Sequence, residues 1–252
     1  MTTIDRLRAA GCVFAEEEAA VLHEAAPDDA TLEALLQRRI NGEPLEQVVG
    51  YADFCGVRVR LRPGVFVPRA RSALLVRVAT ESCPDNGVVI DLCCGSGALG
   101  LALKNRRPGI DLHATDLDPA AAECARDNLG RNVYLGDLYE PLPERLRSRT
   151  DVILANVPYV ATNHIPFLPA EARDHEPRTA LDGGDDGLTV FRAVAEQATT
   201  WLVRGGLLLT EITEAQAGTA LEIAHSNGLT ATIATDDDLD ARVIAARRPR
   251  RP

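Results

Sequence analysis

No stretch of the chain is apolar enough over a sufficient length to span a bilayer, and its opening residues, MTTIDRLRAAG, hold no apolar core of signal-peptide length. A cytoplasmic protein with no membrane partner is therefore expected. Cysteine occurs in no pattern that carries metal or redox chemistry. Cys12, Cys55, Cys83, Cys93, Cys94 and Cys124 form no C-x-x-C pair and no metal-like cluster, so reduced thiols and no metal site are expected. Basic charge is also short: the net charge is −10, whereas surfaces that grip duplex phosphates carry a basic excess. This disfavours a nucleic-acid partner. The one strongly basic run, Arg247 to Pro252, reads as a solvated terminus. No repeat of solenoid period is found, which excludes a stacked-repeat architecture.

What remains is 252 residues of ordinary globular composition, 46% hydrophobic and 25% charged, enough for one large domain with a small one attached. Residues 1–50 read as helices. Asp28 precedes Leu32, Leu35, Leu36 and Ile40 on one helical face, Asn41-Gly42 stops that helix, and Pro44 and Gly50 bracket another. Residues 51–70 read as a β-hairpin linker, with YADFC and VRVRLRPGVFV separated at Gly56 and valines alternating with arginines. From Gly87 strands and helices alternate. The strands are VVIDL, IDLHATD, 132–135, 151–154, GLLLTEI, 229–235 and 242–246; the helices are 98–104, 119–128, 186–201 and one through Ile223. Such alternation predicts an α/β fold, a mostly parallel sheet covered by helices on both faces, over residues 71–252.

The stretch DLCCGSGALG, Asp91 to Gly100, follows the first of these strands and opens a helix with G-x-G-x-x-G at Gly95, Gly97 and Gly100. Glycines there let the backbone turn tightly and approach an adenosine cofactor. Two cofactors fit the pattern, NAD and S-adenosyl-L-methionine. Asp91, four residues before Gly95, suits an ammonium and a sulfonium better than a pyrophosphate, which it would repel. Asp116 ends the second strand, where a carboxylate can accept both ribose hydroxyls, and Asp137 follows the third, within reach of an adenine amino group. Acids after three successive strands favour S-adenosyl-L-methionine. Asp118, just before Pro119, reads as a helix N-cap instead.

With these residues in place the chain resembles the HemK/PrmC type of protein-(glutamine-N5) methyltransferases, which methylate the glutamine of the Gly-Gly-Gln motif in peptide-chain release factors. The likeness runs through PLEQVVGYADFCGVRV, GVFVPR, VIDLCCGSGALGLAL, ATDLDPAAAECARDNL, GDLYEPL, NVPY, HEPRTALDGGDDGL and GGLLLTE, in that order. It implies a class I, Rossmann-like, seven-stranded methyltransferase domain behind a small helical substrate-recognition domain. It also implies a cofactor loop at Cys93, Cys94, Gly95, Ser96 and Gly97, a ribose acid at Asp116, an adenine-flanking Leu138 beside Asp137, and an amide-binding tetrapeptide at Asn156, Val157, Pro158 and Tyr159. The sequence departs from the family at four places. Val157 stands where a proline is usual, Cys93 where glycine is usual and Leu138 where an aromatic is common. Ala70-Arg71-Ser72-Ala73 replaces a proline and two acids around a threonine.

An Asn-Val-Pro-Tyr corner suits an amide for a chemical reason. An amide nitrogen is a poor nucleophile because its lone pair is delocalised, so a site must grip both N–H groups and aim what remains. The Asn156 side-chain oxygen and the Val157 carbonyl can be those acceptors, with Asn156 also beside the cofactor. Pro158 stiffens the corner and holds residue 157 extended, and Tyr159 offers a flat face to the planar group. Asn156 and Tyr159 are thus the catalytic candidates. A small-molecule amine or an exocyclic amino group of a flipped base are the other acceptors such a corner can serve. His164, His175 and the Cys93-Cys94 pair read as structural, and Glu211 reads equally as a peptide contact or a strand-end cap.

Overall fold

The computed structural model describes residues 1–250. Its first unit is four helices, α1 (Thr3–Ala9), α2 (Ala15–Ala25), α3 (Asp29–Ile40) and α4 (Leu45–Val49), closed over Leu7, Leu22, Leu36 and Val48. Asp28 caps α3 by accepting the Thr31 N–H at 2.7 Å, and Gly50, at φ 82°, ends α4 in a left-handed turn. Arg39 of α3 is buried away from this apolar centre. It pairs with Glu18 of α2 at 2.6 Å and with Glu171 at 2.7 Å.

The hairpin comes next as β1 (Tyr51–Phe54) and β2 (Val57–Arg60), joined at Cys55-Gly56, both with positive φ as a tight two-residue turn requires. Its second strand is shorter than the alternation predicts. It stops at Arg60, and Pro63-Gly64 turns the chain beyond it into a loop.

A seven-stranded sheet forms the rest, from β3 (Val88–Leu92), β4 (Asp111–Asp116), β5 (Val133–Leu135), β6 (Thr150–Ala155), β7 (Leu202–Glu211), β8 (Thr230–Asp236) and β9 (Ala241–Arg247). Its order is β5-β4-β3-β6-β7-β9-β8. The pairs from β5 to β7 are parallel, and β9 alone runs against its neighbours β7 and β8. The helices are α5 (Ala73–Ser82), α6 (Ala98–Arg106), α7 (Pro119–Leu129), α8 (Ala170–His175), α9 (Thr189–Trp201) and α10 (Ala217–Ser226).

Two-residue periodicity sorts the strand side chains between two cores. Ile90, Leu92, Ile153 and Leu208 meet Phe191, Val194, Ala198 and Trp201 of α9 on one face. Val89, Val152, Leu154 and Leu209 meet Leu75, Ala79, Leu99 and Leu103 of α5 and α6 on the other. Burial on both faces explains why these strands are near-continuous apolar runs.

Besides the short second hairpin strand, three helices differ from the sequence expectation. α5 is missing from it because Ala-Leu-Leu-Val has no single periodicity and its valines favour strand. α8 is likewise unexpected. The helix expected from Asp186 begins at Thr189, because the Asp186 side chain accepts the Leu188 N–H at 3.0 Å and closes a turn first. Among the described residues no helix is long and apolar enough to cross a membrane.

Candidate active site

Strand order reverses at β3, whose neighbours β4 and β6 carry the chain in opposite directions, and a crevice opens beyond their carboxyl ends. It holds a cavity of about 730 Å³, within the range of small-molecule and cofactor sites. Cys93 to Ser96, Asp116, Leu117, Asp137, Leu138 and Asn156 to Tyr159 all line it.

The glycine loop is shaped by what each glycine faces. Gly95, at φ 56°, turns its N–H onto Asp116 Oδ2 at 2.8 Å, and a methyl group there would meet nothing within 4 Å. That is the signature of backbone left bare for a ligand. Gly97 and Gly100 serve packing instead. A Cβ on Gly97 would sit 2.8 Å from Leu129, and one on Gly100 would sit 3.0 Å from both Asp91 and Leu112. Cys93 also adopts a left-handed conformation, φ 51°, which accounts for glycine being the usual residue there and leaves cysteine strained. Burial pushes the Cys93 and Cys94 thiols well up, with the nearby Asp116 and Asp91 carboxylates adding to it, so both stay protonated packing groups.

Asp116 is braced by backbone N–H groups of two loops, with Oδ1 accepting that of Asp118 at 2.9 Å while Oδ2 takes that of Gly95. Each oxygen keeps a further lone pair for the cavity it lines. Asp118 caps α7 through the Ala120 N–H at 2.7 Å, the role expected of it. Asp91 is placed elsewhere. It shares the face of β3 with Val89, lies fully buried under the loop, and accepts the Gly100 N–H at 2.9 Å without lining the cavity. Burial pushes its carboxyl up to about 8, the Asp116 charge adding and the Gly100 N–H opposing. Gly97 is likewise outside the cavity wall.

The other end of the cavity is the corner after β6. Val157 turns its side chain into the core beside Leu188 and Phe191, and Pro158 is buried behind it. Asn156 Oδ1 is sequestered from solvent and has no hydrogen-bond partner. An unsatisfied buried acceptor costs on the order of 1–3 kcal/mol, so its place in a ligand cavity asks for a donor from the ligand.

Residues 181–188 hold this corner from outside. Val160 donates to Leu181 O at 3.0 Å, Gly183 donates to Val160 O at 2.8 Å, and the two segments form a bridge at Val160 and Asp182. Gln216 Nε2 donates to the carbonyls of Tyr159 at 2.9 Å and Asp186 at 3.0 Å. A side chain on Gly187 would overlap the Tyr159 carbonyl, and one on Gly183 would sit 2.6 Å from that of Pro158. The Tyr159 hydroxyl meets Glu211 Oε1 and Arg71 Nη2, both at 2.6 Å.

A family model, the methyltransferase small domain, matches residues 56–172. Curated relatives cover much more of the chain. A release factor glutamine methyltransferase of Geobacter sulfurreducens is 34% identical over 79% of this chain and 71% of its own. One of Cereibacter sphaeroides is 35% identical over 87% and 80% respectively. The chain belongs to the release factor glutamine methyltransferase family. Among solved structures, a methyltransferase from Pyrococcus furiosus shares the fold at a TM-score of 0.59 and 16% identity, covering 85% of this chain and 98% of that one. A ribosomal protein L11 methylase from Lactobacillus delbrueckii does so at 0.52 and 15% identity, over 72% and 81%.

Within this family frame, several residues of the site act through partners far along the chain. Glu176, with a fully buried side chain, accepts the Val67 N–H at 3.1 Å and Arg69 Nη2 at 2.6 Å, tying the GVFVPR segment to the end of α8. Arg69, Arg71 and Ser72 line the cavity, and Gln216 braces it. The glycine density of LDGGDDGL is visible in the sequence; its partner, the tetrapeptide corner, is not.

Proposed function

We propose that this methyltransferase moves the methyl group of S-adenosyl-L-methionine to the side-chain amide nitrogen of the glutamine in the Gly-Gly-Gln motif of peptide-chain release factors, with the helical unit of residues 1–50 taking part in recognition. Family membership supports the reaction class and the acceptor. The observation that carries the reading is Asn156 Oδ1, a buried acceptor with no partner, set in the wall of the cavity.

The residues present fit the cofactor. The open face of Gly95 leaves bare backbone for it, Asp116 keeps lone pairs for ribose hydroxyls, and Asp137 and Leu138 line the cavity, where they would flank an adenine. Bound there, S-adenosyl-L-methionine supplies an electrophilic methyl on a sulfonium. The chain's own work is alignment. Asn156 Oδ1 accepts one N–H of the substrate amide and the Val157 carbonyl accepts the other, which leaves the nitrogen lone pair directed out of the amide plane. Pro158 keeps the carbonyl from turning away, and the Tyr159 ring lies flat against the amide. Exclusion of water around these dipoles strengthens them, and the gain comes from holding reactants in line. Asp91 acts at one remove, fixing the loop through Gly100.

The test is mass spectrometry of release factors incubated with the enzyme and S-adenosyl-L-methionine. One methyl on the Gly-Gly-Gln glutamine is the expected outcome. Methyl transfer to small amines or to RNA and DNA, with release factors unmodified, would refute the acceptor assignment.

A further inference from the structure

A buried carboxylate sits at the acceptor end, and alignment of the amide by Asn156 and Val157 does not use it. Glu211, the last residue of β7, is 3% exposed. Its Oε1 accepts the Tyr159 hydroxyl at 2.6 Å and Arg71 Nε at 2.7 Å, and its Oε2 accepts the Ser72 hydroxyl at 2.7 Å. Arg71 closes the triangle by donating to the Tyr159 oxygen, from Nη2 at 2.6 Å and Nε at 3.0 Å. A buried charge persists only when a counter-charge and hydrogen bonds compensate it, and side chains from two other segments do so here.

The consequence falls on Tyr159. Its hydroxyl proton points at Glu211 and its lone pairs face Arg71, so neither is left to meet a substrate. Burial, with the Glu211 charge, pushes the phenol well up and keeps that proton in place. The main chain behind the ring is held by Gln216, so the ring is pinned at both ends.

We propose that Arg71 and Glu211 are positioning residues for methyl transfer: they fix the Tyr159 ring as a rigid wall beside the acceptor amide, with its hydroxyl an anchor and not a proton acceptor. This rests on reading Asn156 to Tyr159 as the acceptor clamp and adds two residues from outside it. Arg71 occupies the segment where the chain departs from the family pattern. An acid at that position has no N–H to give Glu211 or Tyr159, so the anchor belongs to this chain's version of the segment.

The full chain is assayed with S-adenosyl-L-methionine and release factor as Tyr159→Phe, Arg71→Met and the double variant. Each single substitution is expected to lower kcat about tenfold with cofactor Kd unchanged by calorimetry. The double is expected to be no slower than the slower single, since both remove one anchor. The pH profile of kcat in Tyr159→Phe keeps its original limbs. Additive losses, or a limb lost with the hydroxyl, overturn the proposal. Because Arg71→Met strands a buried carboxylate, Arg71→Met/Glu211→Gln is measured too. A native melt with the same tenfold loss supports the anchor, and undiminished kcat overturns it. If the unmodified enzyme leaves release factor untouched, the acceptor assignment is what fails. The same variants are then read by amide hydrogen exchange at Val160 and Gly183, whose N–H groups are bonded across this corner: faster exchange in each supports the anchor, and unchanged protection rejects it.

Discussion

At the cofactor end of the cavity, each wall residue sits within a few positions of the end of β3, β4 or β5, and its hydrogen bonds run between those neighbouring loops. Asp116 and Gly95 are 21 residues apart and belong to adjacent strands. At the acceptor end the partners are scattered: Tyr159 and Gln216 are separated by 57 residues, Arg71 and Glu211 by 140. The first end is a product of backbone conformation, set by glycines and strand ends. The second is a product of side chains brought together across loops of very different length, each with its own closure cost. Substitutions at the first should therefore act mainly on cofactor binding and local strain, and at the second mainly on turnover.

The sharpest way to break this contrast is Asn156→Ala. Transfer should fall by about a hundredfold or more, with cofactor affinity held within about tenfold, because the main loss is alignment of the nucleophile. Normal turnover would remove the clamp. Gly187→Ala should come next, costing about 2–4 kcal/mol in urea unfolding, since the new methyl combines a left-handed φ of 73° with overlap on the Tyr159 carbonyl. A wild-type midpoint would mean residues 181–188 are not a rigid brace.

Asp91→Asn probes the other end. Its folded pKa of about 8 lies above the unfolded value near 3.9, so the native state keeps a proton that the unfolded chain releases. Stability from this group is complete below about pH 4 and is lost as the pH rises to about 8. The asparagine variant lacks that slope, so its unfolding free energy relative to the parent's should rise from pH 5 to pH 8, by more than about 1 kcal/mol. A constant gap would mean the carboxyl is ionised in the fold. Smallest of all, Cys93→Gly should raise the unfolding free energy by up to about 1 kcal/mol, the left-handed strain relieved exceeding the added freedom of the unfolded chain. No gain would show that the loop tolerates cysteine without strain.

The same contrast governs how much was legible in the sequence. Strand and helix alternation, the Asp28 and Asp118 caps and the glycine loop are local, and periodicity or a turn residue marks each. The reversal of β9 is not local, since antiparallel and parallel strands share one side-chain period. α5 escaped because its buried run Leu74-Leu75-Val76 is short and contiguous, and only the charged Arg77 and Glu81 mark its exposed face. In the site, Asn156 to Tyr159 stood out by residue type, while Asp91 was read as a ligand contact and lies one layer behind it. Its place on the α6 face of β3 comes from parity with Val89, a register visible only once the sheet is assembled. Glu211 stood open between a peptide contact and a strand-end cap, Glu176 lay in HEPRTALDGGDDGL and Arg71 in the departing segment, yet the partner of each lies far along the chain and could not be read; Gln216 carried no marker.

Arg39, like Gln47 with its bond to the Val65 carbonyl at 2.9 Å, joins the helical unit to the cavity wall. One guanidinium, 7% exposed, neutralises Glu18 in the helical unit and Glu171 in the cavity wall. Exposure of Glu171 would let that bond loosen at small cost, while the Glu18 bond is the sheltered one and must hold. The bridge through Arg39 therefore has a weak half and a strong half: a strain across it would open the Glu171 side first and leave the pairing inside the bundle intact.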